Sequence, residues 1–121
     1  HTLLGKRLGN LQHGDAWRYR GGGPPQLTGR ANYRLAAGAL GVDLVEHPEQ
    51  ITEPAIGFRV ACWFWRTKGC NELADRHSAW AYERITLALN GGLIGHAQRI
   101  ALWLRACHLV GAPDPAMQEG V

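Results

Sequence analysis

The chain has one serine, Ser78, and no glycines bracket it in a GxSxG arrangement, which removes the serine-hydrolase elbow from consideration. Cysteine is scarce too. Cys62, Cys70 and Cys107 form no CxxC pair and are odd in number, which fits reduced thiols in a cytoplasmic setting, with one disulfide and one leftover thiol as the alternative. Cys62 sits in an apolar run where a thiolate nucleophile is disfavoured. The six histidines show neither HxxxH nor HExxH spacing, and His96 and His108 do not share a helix face. No metal centre and no cofactor is expected. No apolar stretch approaches the roughly 18 residues that cross a bilayer, and the opening HTLLGKRLGN lacks the apolar core of a signal peptide. A secreted protein whose signal has been removed stays open.

With 45% apolar and 19% charged residues the 121-residue chain reads as one globular domain rather than a disordered segment. Its formal charge of +3 favours anionic partners such as nucleic acid or the bacterial cell wall. The basic residues, mostly arginine, are scattered singly, as on solvated helix faces, which argues against a nucleic-acid role.

Residues 1–27 are rich in glycine, show little periodicity, and read as loop with a short extended piece. Residues 28–112 read as helical. Thr28 is placed to cap a helix that runs to Leu40 and stops at Gly41. Thr52, Glu53 and Pro54 start a second helix, whose residues Ile56 to Trp65 are apolar nearly all round and predict a central position. After Gly69 a short helix is expected over residues 71–76, and Ser78 caps another running to Leu89. Leu93, Ala97, Ile100, Leu104 and Cys107 fall on one stripe of the last helix. Residues 113–121 read as a loose tail. There is no internal repeat.

The glycine cluster at 21–23 is no phosphate cradle, because Pro24 and Pro25 supply no N–H and no GK(S/T) follows. A cleft-lining turn fits better, with an ordinary surface loop as the alternative. Glu46, Glu49 and Glu53 lie on a proline-punctuated connector with nothing apolar to raise a pKa, and Glu72 and Asp75 are explained by a helix dipole. Neither group is nominated as a catalytic pair. Asn90-Gly91-Gly92 suits a left-handed turn between helices.

Four pieces in order, YRGGGPPQLTGRANY, GVDLVEHPEQI, GFRVACWFW and LNGGLIGHAQRIALW, together resemble glycoside hydrolase family 19, which holds chitinases and phage-type endolysins, over about residues 7–112. The resemblance implies an all-α, lysozyme-like fold around a glycan cleft, represented here by the C-terminal portion of the domain. It implies inverting hydrolysis of β-1,4-linked amino-sugar polymers, peptidoglycan or chitin, with both catalytic glutamates matching segments upstream of His1, so that a further segment or chain is an expected partner. By the same resemblance Thr28 positions water, Asn90 bonds substrate near the scissile bond, Arg99 joins the charged network around the carboxylates, Gln26 and Asn32 bind sugar, and Tyr19 is an aromatic of the cleft edge. An endolysin-type role implies residence in the cytoplasm before release to the cell wall. Gly22 stands where the family usually has arginine, Pro25 where it has isoleucine, and Ile94 where many endolysin-like members have asparagine. A catalytically inactive glycan- or protein-binding remnant is the alternative, and a basic nucleic-acid-binding helical module a further one.

Overall fold

In the computed structural model, which describes residues 3–117, the chain is helical. The helices are α1 (Leu3–Arg7), α2 (Asp15–Arg18), α3 (Arg30–Leu40), α4 (Pro54–Thr67), α5 (Cys70–Ala74), α6 (Ala79–Asn90) and α7 (His96–Val110), with a 3-10 turn over Pro48–Thr52. Among the described residues β-pairing is limited to two isolated bridges, Gly22 with Leu27 and Ser78 with Ala116. The described residues divide into two compact units, one ending at Phe64 and the other beginning at Trp65.

The first unit has a core of Tyr19, Leu27, Tyr33, Ala36, Leu44, Ile51 and Val60. Tyr19 and Tyr33 meet edge to face with ring centroids 5.3 Å apart. Their hydroxyls leave the core satisfied: Tyr19 donates to the Val45 carbonyl at 2.8 Å and Tyr33 to that of Arg20 at 2.9 Å, as buried phenols require. The two rings thereby pin both flanks of the glycine-rich segment.

Helix α3 starts differently from the expectation that Thr28 caps it. Gly29 is the N-cap residue and no side chain of the cap position accepts a bond. The N–H of Arg30 donates to Asn10 Oδ1 at 2.9 Å and that of Ala31 to the Leu8 carbonyl at 3.0 Å, so a distant segment satisfies the orphan donors of the first turn. Residues 1–27 also hold more structure than a loop: α1 and α2 lie there, and Asp15, buried in α2, accepts from the Gln12 N–H at 3.0 Å and pairs with Arg30 at 3.4 Å. Gly41 ends α3 in the left-handed conformation, as its sequence position implies.

Helix α4 was expected to be buried all round, but only one side of it meets the core. Gly57 and Val60 are buried, whereas Phe58 is 62% exposed and Cys62 is exposed. An apolar circumference permits central burial, but burial needs elements on every side, and none of the described ones covers Phe58.

In the second unit Trp65 Nε1 donates to Asn71 Oδ1 at 2.8 Å, and α5 packs on α6 and α6 on α7. Ser78 caps α6 as its position predicts, its hydroxyl accepting from the Ala81 N–H at 3.2 Å. The stripe of α7 is shallower than expected: Cys107 is buried and Ile100 and Leu104 half-buried, while Ala97 is exposed and Leu93 precedes the helix. Residues 113–117 are not a loose tail. Ala116 accepts from the Ala79 N–H at 2.8 Å and donates to the His77 carbonyl at 3.1 Å, and the His77 ring bonds the Pro113 carbonyl at 2.7 Å. The segment serves a donor at the start of α6 that the helix itself leaves unpaired. The rest of the expected tail, residues 118–121, lies outside the described residues. All three cysteines are free thiols, and burial, then Glu72, push the Cys70 thiol above its ordinary pKa, partly opposed by Lys68.

Candidate functional site

The glycine-rich segment of the first unit folds into a tight hairpin. Gly22 and Leu27 exchange two backbone hydrogen bonds of 3.0 Å, and the Gln26 N–H closes the turn on the Gly23 carbonyl at 3.1 Å. Pro24 and Pro25 fall in the turn, where no ladder donor is needed, so the double proline breaks no pairing. Gly22 is equally suited to its place: a Cβ there would stand 2.6 Å from both Ile51 Cγ2 and the Tyr33 hydroxyl.

Thr28, Gln26 and Asn32 come together on this hairpin and the helix it feeds. A Cβ on Gly21 would lie 2.8 Å from Gln26 Oε1 and 3.3 Å from Thr28 Oγ1, so the bare α-carbon of Gly21 makes room for both polar groups. The three side chains are joined through the backbone. Asn32 Nδ2 donates to the Thr28 carbonyl at 2.7 Å, the Thr28 hydroxyl donates to the Gln26 carbonyl at 2.9 Å, and Gln26 Nε2 donates to the Gly23 carbonyl at 3.1 Å. These bonds use the one Thr28 hydroxyl proton and one of the two N–H groups of each amide. Gln26 Oε1, the oxygen of Thr28 and Asn32 Oδ1 are left as acceptors, a set suited to hydroxyls, amides or water.

Gln26 holds a positive φ of 53°, a conformation that costs a residue with a Cβ about 1 kcal/mol or more. The residue is exposed, so burial does not offset the strain. Gln26→Gly is therefore expected to raise the unfolding free energy by about 1 kcal/mol, measured by urea denaturation; a destabilised variant would show that the side chain is structural.

Tyr19, expected at a cleft edge, is a core residue in this structure. Its ring is 1% exposed and its hydroxyl is spent on Val45, so its contribution is to hold the hairpin in position. Trp17 and Arg20 were not singled out from the sequence, yet Trp17 is 73% exposed and the Arg20 guanidinium lies over its ring at 4.0 Å while donating to its carbonyl. Both line a cavity of about 270 Å³ with Gly21, Gly22, Glu49 and Thr52. The acids near it are engaged: Glu49 contacts His47 at 3.3 Å and Glu46 contacts Arg18 at 3.7 Å.

In the second unit the structure brings Asn90 and Arg99 together. Asn90 is the last residue of α6, Gly91 turns the chain in the left-handed conformation, and the Ile94 carbonyl then accepts from Arg99 Nη2 at 2.6 Å and from Asn90 Nδ2 at 3.5 Å. Arg99 Nη1 stands 3.1 Å from where a Gly95 Cβ would be, so that glycine opens the turn to the guanidinium. Arg99 has no carboxylate partner among the described residues. Its backbone is fixed by Tyr82, whose hydroxyl donates to the Arg99 carbonyl at 3.2 Å and whose ring stacks on Trp103 at 4.5 Å. Thr86 donates to the Tyr82 carbonyl and therefore accepts from His96 Nδ1 at 3.2 Å, which places a proton on that nitrogen. Tyr82, Thr86 and Trp103 escaped the sequence reading, which weighed His96 only as a metal ligand; the four- and seven-residue intervals within α6 and α7 were the available signal. No group of three or more potential metal ligands occurs among the described residues.

The profile of the family described as class I chitinases matches residues 9–82. A rice protein named Chitinase 8 is 35% identical over 118 residues, covering 78% of this chain and 45% of its own length. A Haemophilus influenzae glycosyl hydrolase family 19 domain-containing protein is 36% identical, covering 85% of this chain and 49% of its own. A pea endochitinase is 33% identical, with 81% and 38% covered. The chain thus spans less than half the length of these relatives. Its helical architecture is the all-α, lysozyme-like kind expected from the resemblance, and the chain belongs to glycoside hydrolase family 19, the family of the class I chitinases.

Proposed function

We propose that this chain supplies the sugar- and water-positioning side of an inverting glycoside hydrolase that cuts β-1,4 bonds in an amino-sugar polymer, chitin or peptidoglycan. The chitinase names of its relatives support a chitin-type polymer. The observation that carries the reading is the run of bonds from Asn32 through Thr28 to Gln26, which commits donors to backbone and leaves acceptors open.

Inversion requires a water held on the face of the sugar opposite the leaving group, activated by one carboxylate while another protonates the glycosidic oxygen. Because the Thr28 proton goes to the Gln26 carbonyl, the Thr28 oxygen can only accept. A water donating to it turns a lone pair elsewhere, and this fixed orientation is what displacement at an anomeric carbon needs. In the first unit Gln26 Oε1 and Asn32 Oδ1 take hydroxyl or acetamido N–H groups of the sugar; in the second unit Asn90 offers a glycan an amide of its own. Arg99, with no carboxylate partner among the described residues, is suited to steady the ionised form of a catalytic glutamate. Both glutamates come from a segment or chain that completes the domain.

A second reading, glycan binding without hydrolysis, is favoured by the engagement of Asp15, Glu46 and Glu49 with basic side chains. Titration of the 121-residue chain with chitohexaose, paired with a product assay on chitohexaose and on peptidoglycan, separates the readings. Binding without product from this chain, and inverted product from the polypeptide that carries the glutamates, is the expected result. Product from neither polypeptide supports the binding-only reading, and absence of binding sinks both.

A further inference from the structure

Outside the groups assigned to the site, the second unit carries an arginine pair assembled on one indole. Arg76 lies in the connection between α5 and α6, and Trp80 and Arg84 are one turn apart on α6. The Arg76 guanidinium carbon is 4.8 Å and that of Arg84 5.5 Å from the Trp80 ring centroid. Sharing one ring keeps the two cations within about 10 Å of each other despite their like charge. Both are exposed, and neither forms an ion pair among the described residues, although Glu72, Asp75 and Glu83 are near in sequence. A guanidinium stacked on an aromatic face keeps its in-plane N–H fork free for an oxyanion. The indole therefore holds two forks ready for two anionic groups on one partner.

We propose that Arg76, Trp80 and Arg84 form an accessory surface that binds the carboxylates of an anionic amino-sugar strand, one whose sugars carry acidic peptide stems. The inference rests on the glycan-directed function proposed above and narrows its substrate. Arg84 and Asn90 share α6, but six residues turn the helix through about 600°, which leaves them roughly 120° apart around its axis, so the arginine pair is a surface separate from Asn90. A neutral polymer such as chitin offers the forks nothing to grip. The match is with alternating substituents carrying carboxylates, and it predicts selection by charge through the pair.

The test measures binding of the chain to three probes: glycan strands bearing peptide stems with free carboxylates, the same strands stripped of charge by capping every carboxylate as a methylamide, and chitohexaose. Stem-bearing strands are expected to bind at least tenfold tighter than stripped ones at low salt, with the advantage fading as salt rises. Arg76→Gln with Arg84→Gln is expected to abolish that advantage and leave chitohexaose binding unchanged. Arg84→Lys, which keeps the charge and loses the planar fork, recovers only part of it. Equal binding of stem-bearing and stripped strands, or an advantage that survives the double substitution, overturns the inference while chitohexaose binding still supports the glycan-directed reading. Loss of chitohexaose binding with the charge advantage intact instead counts against the sugar site and for the arginine pair. Salt-sensitive binding of duplex DNA through the same two arginines, tighter than to the stem-bearing strands, overturns the glycan assignment in favour of nucleic acid.

Discussion

Gly29→Ala is expected to cost about 4 kcal/mol of stability, a loss large enough to leave a chain of this size marginally folded. Gly29 has φ 95° and ψ 144°, a combination that side chains with a Cβ avoid. The added carbon would also stand 2.7 Å from the Leu8 carbonyl oxygen and 2.7 Å from Leu8 Cβ. Backbone cannot swing aside as a side-chain tip can, so the residue 8–10 segment must retreat. Retreat would strip the Arg30 and Ala31 N–H groups of Asn10 and Leu8, leaving the start of α3 without its acceptors. Gly41→Ala makes the control, since Gly41 has φ 65° and nothing within 4 Å of a Cβ; only the backbone cost of about 1 kcal/mol applies there. Urea midpoints that moved equally for the two variants would show that the approach of Leu8 contributes nothing.

Thr28→Val is expected to lower kcat about a hundredfold in the polypeptide that carries the catalytic glutamates, with KM changed by no more than a few fold. Valine keeps the shape beside Gly21 and loses both the bond to the Gln26 carbonyl and the acceptor for water. Thr28→Ser retains both and is expected to hold most of the activity. Steady-state kinetics on chitohexaose decides the matter: a Val variant with near-normal kcat removes Thr28 from water positioning, and a rise in KM alone makes it a sugar ligand. The split between kcat and KM matters because a merely structural hydroxyl would lower stability instead.

Local chemistry was legible where its cause lies within about one helical turn. Gly41 ends α3, Ser78 caps α6 and Gly91 turns the chain after Asn90, each through a bond to a residue three or four positions away. The same range lets the amide of Asn32 reach the Thr28 carbonyl one turn back. Tyr19 was misjudged for the complementary reason. An aromatic beside glycines reads equally well as a cleft wall or a core anchor, and its bond to Val45, 26 residues on, decides for the core.

By itself, then, the sequence determined the helical class, the glycine turns at 21–23 and 90–92, and the family, because these follow from backbone preferences and ordered motifs over short spans. Only the tertiary structure decided which acceptor satisfies the start of α3, that Ala116 pins the start of α6, that α4 buries one side, and that the Tyr19 hydroxyl is spent on Val45. Buried or terminal polar groups must find partners, but many residues can serve. Which one does is settled by the path of the chain, through contacts that spacing along the sequence does not encode.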